Sequence, residues 1–140
     1  MSPEKRSAVM AKIRGRDTGP ERIVAGLLQD AGLTFESHAR DLPGRPDFVL
    51  RDRQVAILVD GDFWHGWRFP EWRDKLSPAW EAKIEANRQR DRRNIRRLRR
   101  LGWAVIRLWE HQVKRDPAKC LSRVLLLVER ASDGQAAGQL

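Results

Sequence analysis

Two short, apolar, β-branched runs in this chain each end beside carboxylates. Asp47 opens the first, Phe48-Val49-Leu50, and Asp60, Asp62 and His65 follow the second, Val55 to Val59. If the two runs pair as a hairpin, one end of one sheet gathers three acids and an imidazole. Hard oxygen ligands of that kind suit Mg²⁺, and an adjacent histidine suits proton transfer. The chain is also strongly basic, with a formal net charge of +9, so phosphodiester hydrolysis is the first reaction to consider.

The distribution of that charge sharpens the reading. Between Arg88 and Arg100 there are eight arginines against one acid, Asp91. Arginine carries the planar fork that grips phosphate, and lysine is absent from the cluster. Such a run is the electrostatic footprint of a nucleic-acid backbone binder rather than a merely solvated helical face.

Elements must hold these residues in place. Ser2 to Ile13 reads as a short helix. Thr18 and Glu21 have the spacing of a capping box and start a helix bearing Ile23, Val24, Leu27 and Leu28 that stops at Gly32. A weak strand is expected near Leu33 to Ser37, and two strong ones over Asp47 to Leu50 and Gln54 to Val59. Gly61 to Leu76 lacks periodicity and reads as a long functional loop. Ser77-Pro78 is an N-cap followed by proline at the first helical position, opening a helix that ends at Gly102. Trp103 to Trp109 is then a strand, Pro117 to Arg130 an amphipathic helix, and 131–140 a frayed, flexible tail. The fold class is α/β: a small mixed central sheet flanked by helices in a single domain over 1–130. On the long helix, positions 80, 84, 87, 91, 95 and 98 share one face, and Asn87 and Asp91 interrupt its apolar stripe. Two polar groups facing the core side need partners or a ligand, which points to a supporting role at the acidic sheet end.

Composition excludes several classes. No apolar run is long enough to span a bilayer, and Met1 to Arg16 has no signal-peptide core. The one cysteine, Cys120, can form neither an internal disulfide nor a zinc cluster, so a cytoplasmic, reducing location is expected. Cys120 reads as core and His38, which has no motif context, as surface.

Five ordered motifs carry a family resemblance: Arg16-Asp17-Thr18 with Glu21, Leu42-Pro43-Gly44-Arg45-Pro46-Asp47-Phe48, Gly61-x-Phe63-Trp64-His65, Asn87 with Arg90-Asp91-Arg92-Arg93, and Leu101-Gly102-Trp103 with Trp109-Glu110. Together they resemble the very-short-patch-repair (Vsr) DNA mismatch endonucleases over roughly Lys5 to His111. The resemblance implies the restriction-endonuclease-like fold of the PD-(D/E)XK superfamily. It also implies a Mg²⁺-dependent nick on the 5′ side of the thymine in a T·G mismatch, the product of 5-methylcytosine deamination.

Residue by residue, the resemblance makes Asp47 the metal-binding aspartate and the Val59 carbonyl a second metal contact. It makes His65 the base for the attacking water and Glu21 the acid that orients water near the metal, with Asp60 beside them. Phe63, Trp64 and Trp80 match aromatics that enter the base stack, and Met10 and Ile13 match apolar residues that approach from the opposite groove. Arg45, Arg92, Arg93, Arg96 and Arg97 are the expected phosphate contacts. Family members commonly build a structural zinc site around the Phe-Trp-His loop, but here its positions read Asp62, Trp67, Phe69 and His111. No thiolate remains, so no structural zinc is expected, and Trp67 and Phe69 are expected to pack in its place. Asp60 stands where many members have histidine.

The sequence thus predicts a monomeric, Mg²⁺-dependent endonuclease acting on double-stranded DNA with a T·G mismatch. One rival keeps the active site but acts on another deaminated or modified base, or in restriction or phage defence. A second rival is a catalytically silent binder of distorted duplexes.

Overall fold

The computed structural model describes residues 19–138, with side chains over 19–131. The expected N-terminal helix with Met10 and Ile13, and the Thr18 half of the capping box, lie outside the described residues. Helix α1 spans Gly19–Asp30. Strands β1 (Glu36–Ser37), β2 (Phe48–Leu50) and β3 (Val55–Asp60) follow, then a helical turn α2 (Phe69–Trp72) and a 3₁₀ turn at Arg73–Lys75. The long helix α3 (Pro78–Arg100), strand β4 (Ala104–Trp109), and helices α4 (Glu110–Arg115) and α5 (Pro117–Gly138) complete the order.

The sheet runs β1-β2-β3-β4. The first two pairings are antiparallel, and β3 pairs with β4 in parallel, Val55 with Ala104 through Asp60 with Trp109. That parallel pairing requires a crossover, which α3 supplies. β3 is a continuous apolar run because both its faces are covered. Phe48, Val55, Ile57 and Leu108 join Val24 and Leu28 of α1, Val113 of α4 and Cys120 and Val124 of α5 in one cluster. Val49 and Ala56 meet Leu98 of α3 in the other. The alternation along β3 therefore directs even-numbered side chains toward α3, and Asp60 continues that series at the strand end.

Ser77 caps α3 as expected, its Oγ accepting the Trp80 N–H at 3.4 Å, and Gly102 (φ 93°) terminates it. Two other glycines permit close approaches beside the site. A Cβ on Gly44 would lie 3.0 Å from Asn94 Cβ, and one on Gly66 would lie 2.6 Å from Arg88 Cδ; both glycines have positive φ. The Pro-Gly-Arg-Pro loop and the loop after His65 can thus seat directly on α3.

Several elements differ from the sequence expectation. The weak strand is confined to Glu36–Ser37, where β2 offers partners. The long loop contains α2 and the 3₁₀ turn, both too short to register as a period. α4 was not foreseen for the same reason; it begins where Gln112 Oε1 accepts the Trp109 N–H at 3.2 Å. α5 runs past Arg130 to Gly138, since no proline interrupts it. No helix among the described residues is long and apolar enough to cross a membrane.

Candidate active site

The antiparallel register of β2 and β3 brings Asp47, at the start of one strand, beside the end of the other. Asp47 Oδ2 accepts the Val59 N–H at 2.7 Å. This fixes the carboxylate against the Val59 backbone, whose carbonyl is the second expected metal contact. Glu21, from the first turn of α1, is only 4 % exposed, and its Oε2 lies 3.1 Å from His38 Nε2. His38 in turn donates its backbone N–H to the Asp47 carbonyl at 2.9 Å. Glu21, His38 and Asp47 each present a ligand atom within 4.8 Å of the other two.

This half of the site favours a cation. Burial pushes the Asp47 carboxyl up to about 8; the Val59 amide opposes the shift, while the charges of Glu21 and Asp60 add to it. The Asp47 and Glu21 carboxylates bring hard oxygen donors to a half-buried point, which suits a divalent ion such as Mg²⁺, while His38 Nε2 is taken up by Glu21 at 3.1 Å. The donor set lacks the thiolates that would select a softer metal.

The second half forms where α3 crosses the strand ends. His65 Nδ1 lies 2.7 Å from Asp91 Oδ2, and His65 Nε2 lies 3.6 Å from Asp60 Oδ1. An ionised carboxylate only accepts, so Nδ1 carries the proton, which leaves Nε2, on the Asp60 side of the ring, as the basic nitrogen. Burial opposes the imidazolium, but the Asp91 hydrogen bond and the Asp60 and Asp91 charges outweigh it, and the His65 pKa is raised. Arg107, on β4, donates from Nε to Asp60 Oδ2 at 2.6 Å and from Nη2 to Asp91 Oδ2 at 3.1 Å. Asn87 donates to the Trp64 carbonyl at 3.0 Å, holding the loop that carries His65. His65 also opens onto a pocket of about 190 Å³ walled in part by Arg68, Arg88, Arg92 and Arg107.

The aromatic loop divides into two groups. Phe63 lies 5.4 Å from Trp64, 5.6 Å from Trp72 and 6.0 Å from Trp80, ring centre to ring centre. Phe63 and Trp80 remain 41 % and 42 % exposed, so this group forms an open apolar platform beside His65. Trp80 therefore lies outside the buried stripe of α3, in which Ile84 and Leu98 are sealed. In the second group, Trp67 packs on Trp109 and His111 at 5.0 and 4.7 Å, and Asp62 Oδ1 lies 2.8 Å from His111 Nδ1. Phe69 is fully buried, but it meets Trp72, Arg73 and Arg88. A hydrogen bond and stacked rings thus tie together three of the four expected zinc-corner positions. Elemental analysis of the purified protein is expected to find no stoichiometric zinc, and one tightly held zinc per chain would refute this packing account.

The arginines expected to contact phosphate lie on the surface. Arg92, Arg93, Arg96 and Arg97 are exposed on α3, and Arg45 is exposed in the Pro-Gly-Arg-Pro loop. Two site residues escaped sequence reasoning. His38 belongs with Glu21 and Asp47 rather than to an idle surface, and only the β1–β2 register reveals it. Arg107 left a signal: it is the one charged residue in the run Ala104 to Trp109.

Known proteins resemble this chain in sequence and in fold. Residues 1–70 match the family model described as DNA mismatch endonuclease Vsr. The chain is 42 % identical over 110 residues to the DNA mismatch endonuclease Vsr of Escherichia coli K12, covering 75 % of this chain and 69 % of that one. It is 40 % identical over 112 residues to the type II nicking enzyme V.XorIIP of Xanthomonas oryzae pv. oryzae, covering 79 % and 82 %. In fold it is similar to the catalytic domain of the homing endonuclease I-Bth0305I, with a TM-score of 0.58 at 19 % identity, covering 82 % of this chain and 98 % of that one. The architecture is restriction-endonuclease-like.

Proposed function

Because the chain belongs to the Vsr family of DNA mismatch endonucleases, we propose that it is a Mg²⁺-dependent endonuclease that nicks duplex DNA on the 5′ side of the thymine in a T·G mismatch. The observation that carries the reading is the convergence of a buried Asp47 cluster and a His65–Asp91 pair at one end of the β2–β3 hairpin. A bound divalent ion would supply Lewis acidity at the scissile phosphate and charge to its developing oxyanion. Asp47 would hold it, with the Val59 carbonyl beside it, and Glu21, steadied by His38, would orient water. His65 Nε2 takes the proton of the attacking water, and Asp91 and Asp60 stabilise the imidazolium that results. Nicking of a T·G duplex with Mg²⁺, its loss in EDTA, and a panel of matched, U·G and modified duplexes test the reading. Equal cleavage of matched DNA would overturn the mismatch assignment. A preference for another lesion would favour the rival that the Asp62–His111 loop makes reasonable, since that loop departs from the family pattern beside the base platform.

Recognition rests on the aromatic platform. A T·G wobble stacks imperfectly, so opening its step costs less than opening a Watson–Crick step, and an aromatic wedge exploits the difference. Trp64→Ala is expected to lose about 1–3 kcal/mol of stacking, and with it most discrimination between mismatched and matched duplex, while Mg²⁺ binding and the fold persist. Unchanged mismatch preference, read by competitive binding, would place the wedge elsewhere.

The arginine face supplies affinity without sequence information. Log K should fall with log salt by about 0.9 per phosphate neutralised. Replacing Arg92, Arg93, Arg96 or Arg97 by alanine should reduce that slope by roughly one each, equally for matched and mismatched DNA. An effect confined to mismatched DNA would mean that these side chains read the lesion.

A further inference from the structure

We propose that Arg107 is a built-in cation that closes the Asp60–Asp91 side of the site to metal, so that the chain holds one divalent ion, at Asp47. The proposal rests on the assignment of Asp47 as the metal-binding residue. By spacing alone the site has two candidate metal positions. Asp60, His65 and Asp91 present ligand atoms within 4.8 Å of one another, just as Glu21, His38 and Asp47 do.

The Asp60–His65–Asp91 triad is the second of these, and it is already occupied. The Arg107 guanidinium spans the second, with Nε 2.6 Å from Asp60 Oδ2 and Nη2 3.1 Å from Asp91 Oδ2. Asp91 Oδ2 is also bonded to His65 Nδ1 at 2.7 Å. One oxygen of each carboxylate is therefore committed, and the second oxygen of Asp60 faces His65 Nε2 at 3.6 Å. An arginine side chain stays charged at every pH the fold survives, so a divalent ion entering here must expel it or sit against it. Arg107 is also fixed from behind: it projects from β4, whose ladder to β3 is continuous, and its guanidinium lies 4.4 Å from the centre of the Trp109 ring. A charge-assisted fork in that geometry is stronger than neutral hydrogen bonds.

Arg107 is on this account a positioning residue. It does to Asp60 and Asp91 what a second metal ion would do: it neutralises them and orients them toward His65. Asp60 then acts on the imidazole electrostatically and is not a metal ligand.

Mn²⁺ binding to the full chain without DNA, followed by electron paramagnetic resonance, tests this independently of activity. Wild type is expected to bind one ion per chain, and Asp60→Asn to leave that ion in place. Arg107→Met, which keeps the stem and removes the charge, is expected to bind a second ion that the added Asp60→Asn change removes. Arg107→Lys should remain at one. A second ion in the wild type that Asp60→Asn abolishes overturns the proposal, as does a single ion in an Arg107→Met variant of native circular dichroism. The Asp60→Asn comparison leaves Arg107 untouched, so it decides even where Arg107→Met does not fold. If Asp47→Asn leaves the single ion bound, the assignment of Asp47 fails instead, a distinct outcome.

Discussion

Asp47→Ala is expected to reduce nicking of a T·G duplex to background, a greater loss than the ~10²–10⁴-fold that one positioned base supplies. The substitution removes the carboxylate around which the cation cluster is built, yet leaves the exposed arginines of α3 in place. DNA affinity and its salt dependence should therefore survive. The same residue predicts a stability effect. Asp47 titrates at about 8 in the folded metal-free chain against 3.8 ordinarily. Between those values the native state holds a proton that the unfolded state has released, so stability falls as pH rises from about 4 toward 8. Added Mg²⁺ should restore it at the upper end, because binding to the native state alone stabilises that state. Asp47→Asn should flatten the profile, since the amide does not ionise. Thermal melts across this range with and without Mg²⁺ make the comparison, and cleavage by Asp47→Ala at the wild-type rate would remove the basis of the mechanism.

His65→Ala carries the second-largest expected effect, a fall of roughly 10²–10⁴ in the single-turnover rate. The base must be neutral to accept a proton, and its pKa lies above the ordinary 6.5 because the Asp91 hydrogen bond and nearby charges outweigh burial. The nicking rate should accordingly climb with pH through an inflection above that value. Asp91→Asn removes the strongest stabiliser of the imidazolium and should move the inflection down, while also loosening the ring and lowering the plateau. A pH profile unaltered in Asp91→Asn would show that the limb belongs to another group. A His65→Ala enzyme as fast as wild type would assign the proton transfer elsewhere.

Much of the chemistry was legible in the residues themselves. The positions of Asp47, Asp60 and His65 at strand ends follow from the two apolar runs, whose pairing buries β-branched side chains on both faces. Asn87 and Asp91 stood out because they interrupt an otherwise apolar helical stripe, and a buried polar group needs a partner. Both have one: Asp91 holds His65, and Asn87 holds the Trp64 carbonyl. α3, its Ser77 cap and its Gly102 stop were equally readable, since each rests on local backbone chemistry.

Contacts between segments distant in the chain were not readable. His38 carries no local signal; it joins the site because β1 pairs with β2 and places it 3.1 Å from Glu21, seventeen residues away. Arg107 could be flagged as a charge in an apolar strand, but its partners come from β3 and α3, 47 and 16 residues away. The aromatic loop shows the same division. Its composition demanded burial or a partner, yet only the fold separates the Phe63–Trp64–Trp80 platform, exposed at Phe63 and Trp80, from the Trp67–His111–Asp62 corner. Sequence by itself determined which elements form and which residue types meet at the strand ends, because periodicity, capping and turn chemistry act over a few residues. The tertiary structure decided which carboxylates gather around Asp47 and which are bridged by Arg107, because that depends on ångström-scale distances set by strand register and helix crossing.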